Sequence, residues 1–140
     1  MKIRIDAERL WKSLMDLARI GATPKGGVRR ITLTAADREG RDQFVRWARD
    51  AALAVRWDAI GNIFARRPGS DASAAAVMMG SHLDSQPSGG RFDGAYGVMA
   101  GLELVRTLND IGYETEAPVE IASVGNTEPD NAGRCKSSSN

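Results

Sequence analysis

Three consecutive stretches constrain this chain most: the apolar run Ala74 to Met79, the loop Gly80-Ser-His-Leu-Asp-Ser-Gln-Pro-Ser-Gly-Gly-Arg-Phe-Asp-Gly94, and the amphipathic segment Gly94 to Ile111. Read in order, they predict a strand, a glycine-rich loop and a helix. The strand is apolar throughout, so burial on both of its faces is expected. Small residues at 94, 97, 100 and 101 let the helix approach a sheet closely. Such a unit puts its loop at the carboxyl end of the strand, where open α/β sheets bind ligands. The loop carries the chain's sole histidine, His82, with Asp84 two residues later and Asp93 just before the helix.

The remaining segments fit the same class. Asp6 to Ile20 reads as a helix, with Leu10, Trp11, Leu14, Leu17 and Ala18 on one face, and Gly21 ends it. Residues 21–33 are a glycine-rich connection too broken for a regular element. Thr34 caps a second helix with Asp37 as capping partner. That helix runs to about Ala52 and buries Phe44, Val45, Trp47 and Ala48. Ala54 to Asp58, Asn62 to Arg67 and Pro118 to Val124 read as strands, and Pro68 to Asp71 as a turn. The expectation is an α/β layered domain over residues 1–124 and a polar, aperiodic, disordered tail over 125–140. Trp11, Trp47 and Trp57 are expected to be core or half-buried anchors.

Bulk properties remove several function classes. The 140 residues carry a net charge of +1, so neither nucleic acid nor an acidic membrane surface is expected as a partner. No apolar run approaches the roughly 18 residues of a membrane span. One cysteine, Cys135, gives no internal disulfide framework and fits a reducing compartment. The start, Met-Lys-Ile-Arg-Ile-Asp, shows no secretory signal, which makes the cytoplasm the expected location.

The chemistry centres on the loop. In an extended backbone His82 and Asp84 stand on the same side. Neutral imidazole with carboxylates suits a divalent metal such as zinc. Asp84 is placed to accept the second ring N–H of His82, and Asp93 beside a helix start is able to bridge two metals. A satisfied surface His–Asp pair competes with that reading on spacing alone. The conformationally costly glycines 89, 90 and 94 count against it. Glu128, just past the last strand, would emerge at the same edge, although a solvated glutamate in a tail is its plain alternative. The loop lacks the Gly-Lys-Ser/Thr of a phosphate cradle. Ser81 and Ser85 have no second histidine to activate them, and Cys135 has no nearby base.

The loop motif is accompanied by Arg9-Leu-Trp-Lys-Ser-Leu-Met, Ile20-Gly-Ala-Thr, Gly40-Arg-Asp, Val55-Arg-Trp-Asp and Gly61-Asn-Ile-Phe-Ala-Arg. On these motifs the chain resembles the zinc-dependent amidohydrolases that include N-carbamoyl-L-amino-acid hydrolase, allantoate amidohydrolase and β-ureidopropionase, within the clan of two-metal aminopeptidases, carboxypeptidases and aminoacylases. The resemblance covers residues 6 to about 124. It implies the N-terminal part of a three-layer α/β/α two-metal hydrolase domain with a mixed sheet. It implies a pair of zinc ions, with manganese or cobalt as alternatives. It also implies homodimers that hydrolyse the C–N bond of N-carbamoyl amino acids or related ureido acids by metal-activated water. Position by position, His82 corresponds to a metal ligand, Asp93 to the bridging carboxylate, Glu128 to a further ligand, and Asp84 to the residue orienting His82. A strained, cis-like peptide is implied at Asp93–Gly94.

The chain departs from the family after its last strand. Where the family reads Trp-Thr-Asn-Glu-Glu-Gly, this chain reads Val124-Gly-Asn-Thr-Glu-Pro129. Thr127 therefore stands at the general base's position, and a threonine accepts no proton near neutral pH. The family's two later histidines have no counterpart. The expectation is a chain truncated or frameshifted after about Val124, with an incomplete metal site, no dimerisation domain and no activity by itself. Three alternatives stay open. One is a non-catalytic remnant that binds metal weakly or pairs with another polypeptide. Another is a different two-metal aminopeptidase- or aminoacylase-type hydrolase. The last is an unrelated α/β ligand-binding domain.

Overall fold

The computed structural model describes residues 3–125. The chain opens with α1 (Ala7–Ala18), capped by the Asp6 carboxylate, which accepts the Arg9 N–H. Leu14, Leu17 and Ala18 form its buried face. A connection then leads to α2 (Ala35–Asp50), whose Phe44, Val45 and Ala48 are buried. Thr34 caps α2 through the Asp37 N–H, as its position predicts. The reciprocal bond reaches one residue further than expected, because Asp37 Oδ2 accepts the N–H of Leu33 at 3.1 Å rather than that of Thr34. At the other end, Ala52 has φ 61°. The Leu53 N–H bonds Ala48 O at 3.0 Å and the Ala52 N–H bonds Arg49 O at 2.9 Å, a Schellman closure with alanine where glycine is favoured.

A hairpin follows, β1 (Ala54–Trp57) with β2 (Ile63–Arg67), then β3 (Val77–Ser81), α3 (Ala95–Asp110) and β4 (Val119–Ser123). The strand order is β1-β2-β4-β3. β3 runs parallel to β4 and the other pairs are antiparallel, so the sheet is mixed, as expected. Register sets the two faces. Ala65 pairs with Ile121 and Val119 with Arg67, placing Ile63, Ala65, Val119 and Ile121 on one face. That face joins residues from all three helices in a single apolar core. The opposite face carries Arg56, Phe64, Arg66 and Glu120. The Arg56 guanidinium lies 3.9 Å from the Phe64 ring centroid and 2.8 Å from Glu120, which is buried beneath it. Of the three expected layers, the described residues supply the sheet and one helical layer.

Two expectations are corrected. The strand predicted at Ala74 to Met79 begins at Val77, because the three preceding alanines form a bend and an irregular approach. Nor is it buried on both faces: Val77 and Met78 are 57% and 54% exposed. Among the described residues β3 is an edge strand, paired on one side alone by β4. Of the tryptophans, Trp47 packs against the core, and Trp11 and Trp57 are about half exposed, at 56% and 49%. Trp11 meets Phe92, their ring centroids 5.6 Å apart.

The small residues of α3 do what their spacing predicts. A Cβ at Gly97 would stand 2.8 Å from Ser81 Cβ, and one at Gly101 would stand 3.0 Å from Met79 Cγ. Glycine there lets the helix lie directly on β3. α1 is bound to α3 by a part-buried ion pair: Arg9 Nε and Nη2 each donate to the buried Glu103 carboxylate at 2.8 Å. No helix among the described residues is long and apolar enough to cross a membrane.

Candidate functional site

The topology brings the predicted loop to the carboxyl end of β3, beside the carboxyl end of the parallel β4. His82 is the first residue past β3, and its side chain is 14% exposed beside the nearly fully buried Asp84. The ring Nδ1 lies 2.9 Å from the main-chain oxygen of Asp84 and 3.4 Å from its Oδ1. A carbonyl can only accept, so Nδ1 carries the proton and a neutral ring has its lone pair on Nε2. Asp84 therefore meets the ring as the sequence suggests, with its carbonyl closer than its carboxylate. Its Oδ2 accepts the Thr32 hydroxyl at 2.8 Å.

The ring also lies against Gly94. A Cβ on Gly94 would stand 2.5 Å from Nδ1 and 2.6 Å from Nε2 of His82. Only a residue without a side chain lets the imidazole come this close to the start of α3, and so to the neighbouring Asp93. Gly94 has φ 70° and ψ −50°. With the Ala95 N–H donating to Asp93 O at 2.8 Å, this is a γ-turn of the rare positive-φ kind. The cis-like peptide expected at Asp93–Gly94 is not found, since the described residues contain no cis peptide. The γ-turn produces the sharp change of direction instead.

The broken connection of residues 21–33 proves to be a splint for the site. Val28 and Gly89 exchange N–H···O bonds at 2.9 and 3.0 Å. A Cβ on Gly89 would stand 2.8 Å from Ser85 Cβ. The glycine expected to loosen this loop thus lets it pack tightly. At the centre is Arg30, 1% exposed. Its Nε donates to Leu83 O at 2.9 Å, and its Nη1 donates to Leu17 O at 3.0 Å and Ile20 O at 2.9 Å. Burial lowers its affinity for its proton, while the Asp37 and Asp84 carboxylates act the other way. Burial likewise raises the Asp37 pKa, opposed by the Leu33 N–H and the Arg41 cation; Asp84 adds to the rise and Arg30 opposes it. Sequence reasoning missed Arg30, since an arginine in a glycine-rich connection reads as solvated.

Among the described residues, no three His, Cys, Asp or Glu side chains come together as a metal-holding group. His82 lies against Gly94, the residue that follows Asp93, so the two expected ligands stand at the same end of the fold. Thr127, Glu128 and Cys135, together with the expected tail, lie outside the described residues.

This α/β arrangement, with its loop at the strand ends, is shared with known proteins. Residues 62–129 match the family model described as Peptidase family M28. The chain is 50% identical to an N-carbamoyl-L-amino-acid amidohydrolase of Rhizobium meliloti, over 89% of this chain and 30% of that protein. It is 33% identical to a ureidoglycolate hydrolase of Oryza sativa subsp. japonica, over 92% of this chain and 27% of that protein. The crystal structure of a hydantoinase/carbamoylase family amidase from Burkholderia ambifaria superposes with a TM-score of 0.89 at 64% identity, over 90% of this chain and 31% of that one. More particularly than the M28 match, then, the chain is similar to N-carbamoyl-L-amino-acid amidohydrolases and to hydantoinase/carbamoylase family amidases. It spans about 30% of the length of such relatives.

Proposed function

We propose that the chain supplies the N-terminal part of an amidohydrolase catalytic domain acting on the C–N bond of N-carbamoyl amino acids or related ureido acids. One observation carries this reading: the His82 ring, engaged through Nδ1 by Asp84, lies against Gly94 beside Asp93. With Nδ1 so engaged, Nε2 is the ring nitrogen that would meet a metal. The names of the relatives, N-carbamoyl-L-amino-acid amidohydrolase and ureidoglycolate hydrolase, support the substrate class.

In this reading His82 Nε2 and Asp93 would hold a divalent metal, zinc first and manganese or cobalt as alternatives. Glu128 and groups from outside this chain would complete the set. Such a metal supplies Lewis acidity toward a carbonyl or a water. The chain's own residues orient and polarise. Asp84 O fixes the ring tautomer, and the buried Asp84 carboxylate, held by Thr32, packs beside the imidazole. Asp93 sits where the start of α3 favours an anion. With Thr127 at the position of the base, the chain has no group to take the proton from water and turns over no substrate by itself. A dimer, as in the intact family, and a cytoplasmic location belong to the same proposal.

Zinc titration of the full chain by calorimetry tests the metal assignment. Weak binding that disappears in His82→Ala and weakens in Asp93→Asn is expected. Binding unaffected by His82→Ala overturns it.

A further inference from the structure

We propose that Arg30 is a positioning residue that sets the tautomer of His82. The inference depends on the proposed function for its use at a metal; the tautomer itself needs none. In a continuing strand the side chain of His82 would stand off the sheet, while the carbonyl of Asp84 would lie in the plane of the ladder. The two meet at 2.9 Å in the irregular stretch that follows β3. Arg30 holds that stretch from both sides. Its Nε takes Leu83 O at 2.9 Å, the carbonyl between His82 and Asp84. Its main chain exchanges two bonds with Ser85: Arg30 N–H to Ser85 Oγ at 2.7 Å, and Ser85 N–H to Arg30 O at 2.7 Å.

The other edge of the guanidinium anchors the grip to α1 through Leu17 O and Ile20 O. A planar fork can serve three carbonyls from two segments at fixed angles, whereas a lysine ammonium is a single point on a flexible stem. An arginine spent wholly on main-chain carbonyls in the interior is a costly way to fill space. Here each bond fixes the segment that carries the acceptor for His82. The result is a ring whose Nδ1–H is committed and whose unprotonated nitrogen is Nε2, before any ligand arrives.

His82 is the sole histidine, so long-range proton–nitrogen spectra of its imidazole are unambiguous. The metal-free full chain is recorded at pH about 8.5, above the ordinary histidine range. The wild type shows the Nδ1–H pattern. Arg30→Lys moves it to the Nε2–H pattern or a mixture, and Ser85→Ala moves it part of the way. Val105→Ala, a destabilising change in the distant core of α3, lowers the melting temperature and leaves the pattern unchanged. An Nε2–H wild type overturns the proposal. So does an unchanged pattern in folded Arg30→Lys, or in Ser85→Ala should the lysine variant not fold. A tautomer that follows Arg30 in a protein that binds no zinc would sink the metal reading and leave this one standing.

Discussion

The imidazole of His82 rests on the backbone of Gly94, so close that a methyl group there would stand 2.5 Å from Nδ1 and 2.6 Å from Nε2. Gly94→Ala meets two separate penalties, the steric one and a backbone at φ 70°, ψ −50°. Strain of this kind costs about 1–3 kcal/mol and overpacking a similar amount. Alanine is therefore expected to destabilise the fold by roughly 3 kcal/mol and to shift the His82 imidazole resonances. Urea unfolding and the histidine spectrum report the two effects. A variant with wild-type stability and an unmoved ring would contradict the contact.

The pair Arg9–Glu103 ties the first helix to the third. Glu103 is buried and also accepts the Asp6 N–H at 3.0 Å and the Thr107 hydroxyl at 3.1 Å. Hydrogen bonding to Glu103 holds the Arg9 guanidinium firmly protonated. Arg9→Ala leaves a buried carboxylate without its cation, a change that costs about 3 kcal/mol or more. Denaturant unfolding is expected to show that loss. A change below about 1 kcal/mol would mean the pair behaves as a surface ion pair.

Asp37 gives the stability a defined pH dependence. Burial raises its carboxyl pKa above the ordinary 3.8, so the fold binds that proton more tightly than the unfolded chain does. The stabilisation is complete below the unfolded value and is lost as pH rises through the folded value. Asp37→Asn has no such proton to lose. The stability of the variant minus that of the wild type should therefore climb with pH from about 4 and then level off. Unfolding curves at a series of pH values measure it. A difference that stays constant across the acid range would contradict the assignment.

Much of the fold is legible in local pattern. Thr34 and Gly94 mark the starts of α2 and α3, and Gly97 and Gly101 mark the face that α3 lays on the sheet. The edge position of β3 is not legible, because strand order depends on which segments return beside it. Val77 and Met78 look like core residues until the sheet shows nothing on their outer side. At the site, the His82–Asp84 contact follows from spacing. Whether carbonyl or carboxylate makes the shorter contact depends on how Leu83 is held, and its carbonyl is held by Arg30, 53 residues earlier. Glu103 was missed for the same reason, since its partner Arg9 lies 94 residues away.

The proposed function is tested most directly by joining residues 1–125 of this chain to the corresponding remainder of the 64%-identical Burkholderia ambifaria amidase. The fusion supplies the groups that this chain lacks. Hydrolysis of N-carbamoyl amino acids or ureido acids by the metal-loaded fusion is measured alongside its His82→Ala and Asp93→Asn variants. Turnover in the fusion, reduced by at least about 100-fold in either variant, is predicted. A folded, metal-loaded fusion without turnover, or one whose activity survives His82→Ala, would contradict the assignment of this loop as part of an amidohydrolase centre.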